Sequence, residues 1–500
     1  MLMRNLMTNF FGKGWLALVQ LLFVPIYTKI LGIEAYGLVG FFALLIVIGS
    51  LFDSGLGSYL NREVARFSAL GRDAGEFHSL VRTIEIPFVL LCLGIGGAIA
   101  LSSGWITCHW LKLSQLDPTV AKYSISLMGA SFAFQLPISL YQNALQGMQK
   151  QIMPNILAAI FATIKAVGAV AVLYWIAPSP IVFFAWQVLV NFFHALLMRE
   201  LLLKNLPLSL ERAKFDKKYL FEGKKFASEV TLLTILGVLI TYLDKAVLSK
   251  MLPLEEFGYY SVAAAAANGL TLVIHPVFFV LFPLFAQVIV RKDEEGLLSL
   301  YRKSTQIMMI FLLPLAFLLI FFPVEILQLW TANDLIVSKS SQITLLLGVG
   351  SALNGLAHLP YILQLASGEL KAAFFQRIIT LVFMIPLLLF LVKGWGAEGA
   401  ALVWILSSLF SLLYSSHVVH KQFLSKAGKS WYLFDGVIPL LGFFLVAAVG
   451  KGCLPENLSK PALFGYLLFL LGAIFLTGIL LSSFPRLWLR EKLKNLRGAA

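Results

Sequence analysis

Charge is scarce in this chain. Asp, Glu, Lys and Arg make up 13% of its 500 residues, about half the share of an ordinary soluble domain, while 59% are hydrophobic. So few charged groups cannot cover a water-facing surface of that size. A soluble enzyme, a disordered chain and a secreted scaffold are therefore excluded. The mean hydropathy of +0.87 agrees, and a bilayer is the expected solvent. Cysteine is scarce too: Cys92, Cys108 and Cys453 lie far apart, without metal-ligand spacing, so no metal site or metal cofactor is expected. Cys108 and Cys453 fall in connections read as extracytoplasmic, where a disulfide is permitted but not required by spacing. No nucleotide-binding loop is present, so this chain is not expected to hydrolyse ATP.

What is abundant is the apolar run. A membrane-spanning helix needs about 20 mostly apolar residues. The sequence predicts about fourteen, near 9–31, 37–60, 84–104, 122–145, 153–175, 180–203, 226–249, 259–290, 305–327, 341–365, 372–392, 398–420, 433–451 and 462–484. The first apolar stretch, from Phe10 to Leu31, is too long for a signal-peptide core and lacks a small-residue cleavage site, so it is read as a span.

The few charges are unevenly placed. Of the 39 Lys and Arg residues, 28 fall at the amino terminus, the even-numbered connections and the carboxyl terminus, and eight in the other connections. The positive-inside rule then puts both termini in the cytoplasm. The net charge of +14 is explained by a basic rim beside anionic lipid, and nucleic acid is not needed as a partner.

The two halves match at one offset. Leu31-Gly32-Ile33-Glu34-Ala35-Tyr36-Gly37 parallels Leu252-Pro253-Leu254-Glu255-Glu256-Phe257-Gly258, and Gln146-Gly147-Met148-Gln149-Lys150 parallels Ser367-Gly368-Glu369-Leu370-Lys371, both at 221 residues. That offset covers six spans, so the halves share membrane orientation, as in transporters built from parallel repeats. The predicted organisation is an all-α polytopic membrane protein: a six-helix lobe (1–203), a basic cytoplasmic linker (204–225), a second six-helix lobe (226–420), and two added helices with a basic tail (421–500). Spans 9, 13 and 14 carry few polar residues and are predicted to be peripheral.

Polar residues within spans fall in stripes. At 100° per residue, one face of span 1 carries Asn9, Lys13, Gln20 and Tyr27. Span 4 aligns Ser131, Gln135, Ser139, Gln142 and Gln146; span 6 aligns Gln187, Asn191 and His194. Span 7 gathers Thr231, Thr234, Thr241 and Lys245 beside Asp244, span 8 aligns Ser261, Asn268 and His275, and span 10 aligns Asn354, His358 and Tyr361. Polar stripes are commonly interhelical glue; six of them in two halves point to a hydrated cavity. Lys13, Lys165 and Lys245 are the cations inside spans, and a charge there costs about 2.5–3.5 kcal/mol on the insertion scale. Lys165 is the most informative, mid-span on a small-residue face with Ala158, Ala162 and Ala169. Asp53, Asp244, His194, His275 and His358 are the candidates for coupling to H+ or Na+. Asp53 is also readable as a helix-end or hinge residue, and Asp244 and Lys245 as a structural ion pair.

Pro25 through Gly37, Asp53-Ser54-Gly55-Leu56-Gly57 and Arg62-Glu63-Val64-Ala65-Arg66 resemble the opening of the oligosaccharide flippase (polysaccharide transporter) family, within the multidrug/oligosaccharidyl-lipid/polysaccharide superfamily. Leu243-Asp244-Lys245-Ala246-Val247-Leu248-Ser249 with Glu256-Phe257-Gly258-Tyr259-Tyr260, and Gly396-Ala397-Glu398-Gly399-Ala400-Ala401, resemble its second-lobe motifs. The resemblance implies two lobes in a V plus two added helices. It also implies alternating access that carries an undecaprenyl-pyrophosphate-linked glycan, such as an O-antigen unit, to the outer leaflet of the bacterial inner membrane. A monomer is implied, with a polysaccharide polymerase and a chain-length regulator as partners and no organic cofactor. Lys13, Lys165 and Lys245 are the cations expected to face pyrophosphate. Asn9, Gln20, Gln135, Gln142, Gln187, Asn191, Thr234, Thr241, Asn268, Asn354 and Tyr361 are expected to face sugar. The rival readings are a multidrug cation antiporter, a lipid II flippase, and a membrane glycan polymerase or ligase. The last would be expected to carry a long catalytic outside loop, which is absent: the longest, 105–121, holds only His109, Lys112 and Asp117 as chemistry-bearing residues.

Overall fold

The computed structural model describes residues 2–70, 74–207, 213–368, 370–424, 436–456 and 458–483; side chains at 2–11, 13, 226, 229, 233, 279 and 370 lie outside that description. Eleven of the described helices are long and apolar enough to cross a membrane. The chain divides into two compact units, residues 1–261 and 262–500.

The first unit contains α1 (Leu2–Leu31), α2 (Ile33–Leu70), α3 (Ala74–Leu101), α4 (Pro118–Gly147), α5 (Ile152–Trp175), α6 (Pro180–Asn205), α7 (Lys217–Met251) and the first half of α8 (Leu254–Asn268). Local sequence explains several starts. Asp117, Ser179 and Asp216 each accept a hydrogen bond from a backbone N–H two residues on, and Pro118 and Pro180 follow the first two caps. The 38 residues of α2 extend about 57 Å, well beyond a hydrocarbon core of about 30 Å. Asp53 therefore lies mid-helix, not at the helix end or hinge that its Ser-Gly-Leu-Gly context suggests.

α4 sits at the centre, packed against α2, α3 and α6. Its polar stripe keeps it out of the eleven apolar helices, and burial among neighbours replaces lipid contact. The core around it includes Leu80, Phe88, Phe132, Tyr141 and Met198. α1 packs on α5, while Ile156, Ile160, Ile164 and Val167 of α5 form an exposed apolar row suited to lipid.

The compact unit continues past the predicted lobe boundary at 203 because α7 packs along α2. Gly55 faces Thr231 and Ala227, and Gly223 faces the Tyr59 ring. The predicted linker is also partly ordered helix, since α7 starts at Lys217. Before it, the N–H of Lys214 donates to Ser79 Oγ and that of Asp216 to Thr83 Oγ1. The connection is thus tied to α3.

The second unit holds the rest of α8, then α9 (Thr271–Val290), α10 (Glu294–Phe321), the short α11 (Pro323–Thr331), α12 (Asp334–Ser367), α13 (Leu370–Gln422), α14 (Ile438–Gly452) and α15 (Lys460–Leu481). Predicted span 8 is broken: a turn at Gly269 separates α8 from α9. Spans 11 and 12 are the two arms of α13, which bends at Gly396, where φ is +55° and a residue with a Cβ would be strained. Span 9, predicted to be peripheral, is α10, and it is heavily buried. The added helices α14 and α15 pack against it, with Phe443 and Ile474 fully buried in the shared core. An all-apolar helix is as well suited to a protein core as to lipid.

Candidate functional site

In the first unit, the stripes of α4 and α6 meet. Asn191, wholly buried, donates to Ser131 Oγ (2.7 Å) and Gln135 Oε1 (3.2 Å). Gln187, one turn earlier on α6, is buried as well. Asn191 and Gln187, expected to face sugar, are buried between helices of the lobe in this conformation. Interhelical bonding between amides and a hydroxyl gives those buried dipoles partners that lipid cannot. Gln135 and Gln142 are half-buried.

The next turn of α6 brings His194 flat against Phe161 of α5, with ring centroids 4.3 Å apart and planes 5° from parallel. Lys165, one turn from Phe161 on α5, lies within electrostatic reach of His194. Both ring nitrogens of His194 and the Oδ1 of Asn191 are buried without a hydrogen-bond partner, and Lys165 makes no ion pair among the described residues. α1 closes on the same stretch of α5. Tyr27 donates its hydroxyl to the Ala166 carbonyl (3.3 Å), and Trp15 donates its indole N–H to Thr163 Oγ1 (3.0 Å). The structure thus gathers Lys165, His194 and Tyr27 where α1, α5 and α6 meet. A cation, an imidazole and an amide oxygen share this region with hydrogen-bonding capacity to spare. The side chains of Asn9 and Lys13 lie outside the described residues. Gln20 is exposed on α1.

A second polar group surrounds Asp53. Its carboxylate, 8% exposed, lies beside Ser139 of α4, whose hydroxyl donates to the Leu136 carbonyl (2.6 Å), and Oδ1 is buried without a partner. Asn143 of α4 and Asp53 Oδ1 both approach Gly57. Asp244 on α7 is different. It accepts from the Tyr260 hydroxyl and from Lys245 Nζ (3.2 Å), and Lys245 also lies over the rings of Tyr242 (5.1 Å) and Tyr260 (5.8 Å). Lys245 is therefore a member of an ion pair, the structural reading that its place beside Asp244 also allows. The Thr234 and Thr241 hydroxyls donate to their own helix, to the carbonyls of Val230 and Gly237.

In the second unit, Asn268 and His275 are exposed. His358 is bonded through Nδ1 to the Asn354 carbonyl (2.8 Å). Tyr361 accepts from Arg377 (2.9 Å), whose guanidinium also lies 5.2 Å from its ring centre. Sorting charges by location assigned Arg377 to the rim; stacking on a predicted sugar-facing tyrosine makes it a candidate binding residue. Two further buried sets went unread. Glu85 accepts from Tyr141 (2.9 Å) and Arg199 (2.5 Å), and Ser415 bonds Gln376 while its carbonyl accepts from Gln364. The readable signal was Glu85 itself, since a carboxylate at a span end needs a partner.

On the described residues, no group of three or more His, Cys, Asp or Glu could hold a metal ion. The three cysteines are free thiols.

Comparison with known proteins places this arrangement. A protein of Shigella flexneri, named for a proposed role as an O-antigen transporter, is 22% identical over 81% of this chain and 94% of its own length. Among solved structures, the lipid II flippase MurJ in an inward closed conformation matches with a TM-score of 0.73 at 16% identity, covering 98% of this chain and all of that one. An inward-facing multidrug resistance MATE transporter of the MOP superfamily matches at 0.65 and 13%, covering 82% and 96%. The fold is that of MurJ- and MATE-type transporters, and the chain is a multi-pass membrane protein. The profile described as polysaccharide biosynthesis protein matches residues 2–289, more than half of the sequence, and the chain belongs to that family.

Proposed function

We propose that this protein flips an undecaprenyl-pyrophosphate-linked oligosaccharide repeat unit, such as an O-antigen unit, from the cytoplasmic to the outer leaflet. The observation that carries the reading is Lys165, a cation without an ion-pair partner among the described residues, in a mostly apolar helix beside His194 and the α4–α6 polar groups. Moving a pyrophosphate through hydrocarbon would cost tens of kcal/mol by Born solvation. A cation in a polar pocket lowers that barrier while the polyprenyl chain stays in lipid. Lys165 faces the pyrophosphate, with Lys13 as its expected companion on α1. Gln20, Gln135, Gln142, Thr241, Asn268 and Asn354 serve sugar hydroxyls, and Tyr361 with Arg377 adds a second polar face. An inside-negative potential assists outward movement of the anion by about 2.3 kcal/mol per charge per 100 mV. The charge split supports cytoplasmic termini in the inner membrane, with a polymerase and a chain-length regulator acting on the flipped unit.

Coupling to H+ or Na+ is assigned to Asp53, not Asp244. A coupling carboxylate must exchange its cation, and Asp53 keeps an unpartnered oxygen beside Ser139 and Asn143. Asp244 is already neutralised by Lys245 and Tyr260.

Deleting the gene tests the reading. Surface glycan is lost and lipid-linked repeat units accumulate inside; intact surface glycan refutes it. The MurJ-like fold raises lipid II as the alternative cargo. Rescue of cells depleted of their lipid II flippase would favour that cargo instead.

A further inference from the structure

A cleft of about 370 Å³ opens between α3 and α6 at the end that carries the α6–α7 connection. His78 and Arg82 of α3, one turn apart, and Arg199 of α6 line it. Among the described residues, the one acid in its lining is Glu85, already engaged by Arg199 and Tyr141. Arg82 donates one hydrogen bond to the Ala213 carbonyl (3.3 Å), and Arg199 uses its Nε on Glu85. A guanidinium has five N–H donors, so both arginines retain capacity toward an anion. The described lining is net positive, with two arginines against one carboxylate.

The apolar lining makes the cleft more than a basic rim. Ile86 follows Arg82 by one turn on α3, toward the bilayer, while Leu203 lies on the connection side of Arg199 on α6. From the arginines into the bilayer, the exposed faces of both helices are apolar: Ile86 and Leu90 on α3, Leu196 on α6. The two helices run antiparallel, so both apolar rows leave the cationic end in the same direction. That is the pattern of a phosphate bound at the membrane surface with a hydrocarbon chain below it.

We propose that this cleft binds the phosphodiester headgroup of an anionic membrane lipid, with an acyl chain along Ile86, Leu90 and Leu196. The contacts of His78 with the Pro207 carbonyl (2.9 Å) and of Arg82 with Ala213 tie the site to the connection before α7. An occupied site therefore also holds Pro207 and Ala213 against α3. Because the cleft is separate from Lys165 and Asp53, the proposal stands whatever cargo the protein carries.

The test uses the full-length protein in a zwitterionic detergent, with lipid retention followed by native mass spectrometry and stability by thermal melting. Phosphatidylglycerol is retained and raises the melting temperature; phosphatidylcholine and inorganic phosphate do neither. Arg82→Gln binds phosphatidylglycerol about five-fold more weakly, the effect of removing one interfacial cation. The paired change Glu85→Gln with Arg199→Gln, which leaves no buried charge alone, weakens it similarly. Lys421→Gln, an exposed cation of the second unit, behaves as wild type. Equal retention of both lipids, an equal shift from inorganic phosphate alone, or wild-type binding by Arg82→Gln would overturn the proposal. If Arg82→Gln fails to fold, the Glu85→Gln/Arg199→Gln pair decides the matter, and wild-type binding by that pair would equally overturn the proposal.

Discussion

Gly37 and Gly258 occupy equivalent positions 221 residues apart and make reciprocal contacts. A methyl group added at Gly37 would come within 2.5 Å of the Leu254 carbonyl oxygen, and one added at Gly258 would run into the Ile33 carbonyl oxygen. Ile33 and Leu254 are themselves 221 apart. So are Gly40 and Ser261, which touch each other directly. Residue pairs that exchange partners in this way lie about a twofold pseudo-axis. The duplication is thus visible as geometry where α2 meets α8.

That reciprocity predicts matched effects. Gly37→Ala and Gly258→Ala should each destabilise by about 1–3 kcal/mol through overpacking against backbone. Gly94→Ala, where an added Cβ meets nothing within 4 Å, should be neutral or slightly stabilising. Thermal melting in detergent checks all three, and a harmless Gly258→Ala would refute the close approach.

Lys165→Ala should strongly slow glycan export while the protein stays in the membrane at normal abundance. Losing one charge-assisted contact of about 1.5–3 kcal/mol corresponds to a roughly ten- to hundred-fold slower transfer. Lys165→Arg should retain part of the activity. Normal export by the alanine variant would remove Lys165 from the substrate path.

Asp53→Asn and Asp244→Asn should separate coupling from structure. The first should fold normally and lose the dependence of transport on external pH or sodium. The second leaves Lys245 without its counter-ion and should lower stability by about 1–3 kcal/mol. Transport measured across imposed ion gradients, alongside melting curves, distinguishes them. Unchanged ion dependence in Asp53→Asn would count against its assignment.

Glu34 should hold the α3–α4 connection. Its buried carboxylate accepts three backbone N–H groups, from Ser114 (2.6 Å), Gln115 (2.8 Å) and Leu116 (3.0 Å). Glu34→Ala orphans them, at a cost of about 1–3 kcal/mol for each that stays buried. Hydrogen exchange at 114–116 should accelerate in the variant while that of α4 changes little. Unchanged protection would show that other contacts hold the loop.

Much of the site was legible as angle but not as surroundings. The stripes on α4 and α6 place Ser131, Gln135, Asn191 and His194 on facing sides of their helices, and the structure joins them. Periodicity does not tell a face turned to water from one turned to another polar helix, so the burial of Asn191 and Gln187 is visible only in the structure. The Asp244–Lys245 ion pair is legible from adjacency, whereas the Tyr242 and Tyr260 rings around Lys245 depend on backbone direction. Arg377 and Arg199 were sorted to the rim because a side chain reaching back into the fold leaves no trace in local composition.

The sequence by itself determined the solvent, the approximate number and position of the spans, the duplication at 221 and the polar face of each helix. These follow from hydropathy and helical period, which are local. Only the tertiary structure decided that α7 belongs with the first unit, that α10 is covered by α14 and α15, and that Asp53 rather than Asp244 keeps an unpartnered oxygen. Each depends on which helix lies against which. That choice is made by close approaches such as Gly37 on Leu254 and by interhelical bonds such as Asn191 to Ser131, and neither is written in a single helix.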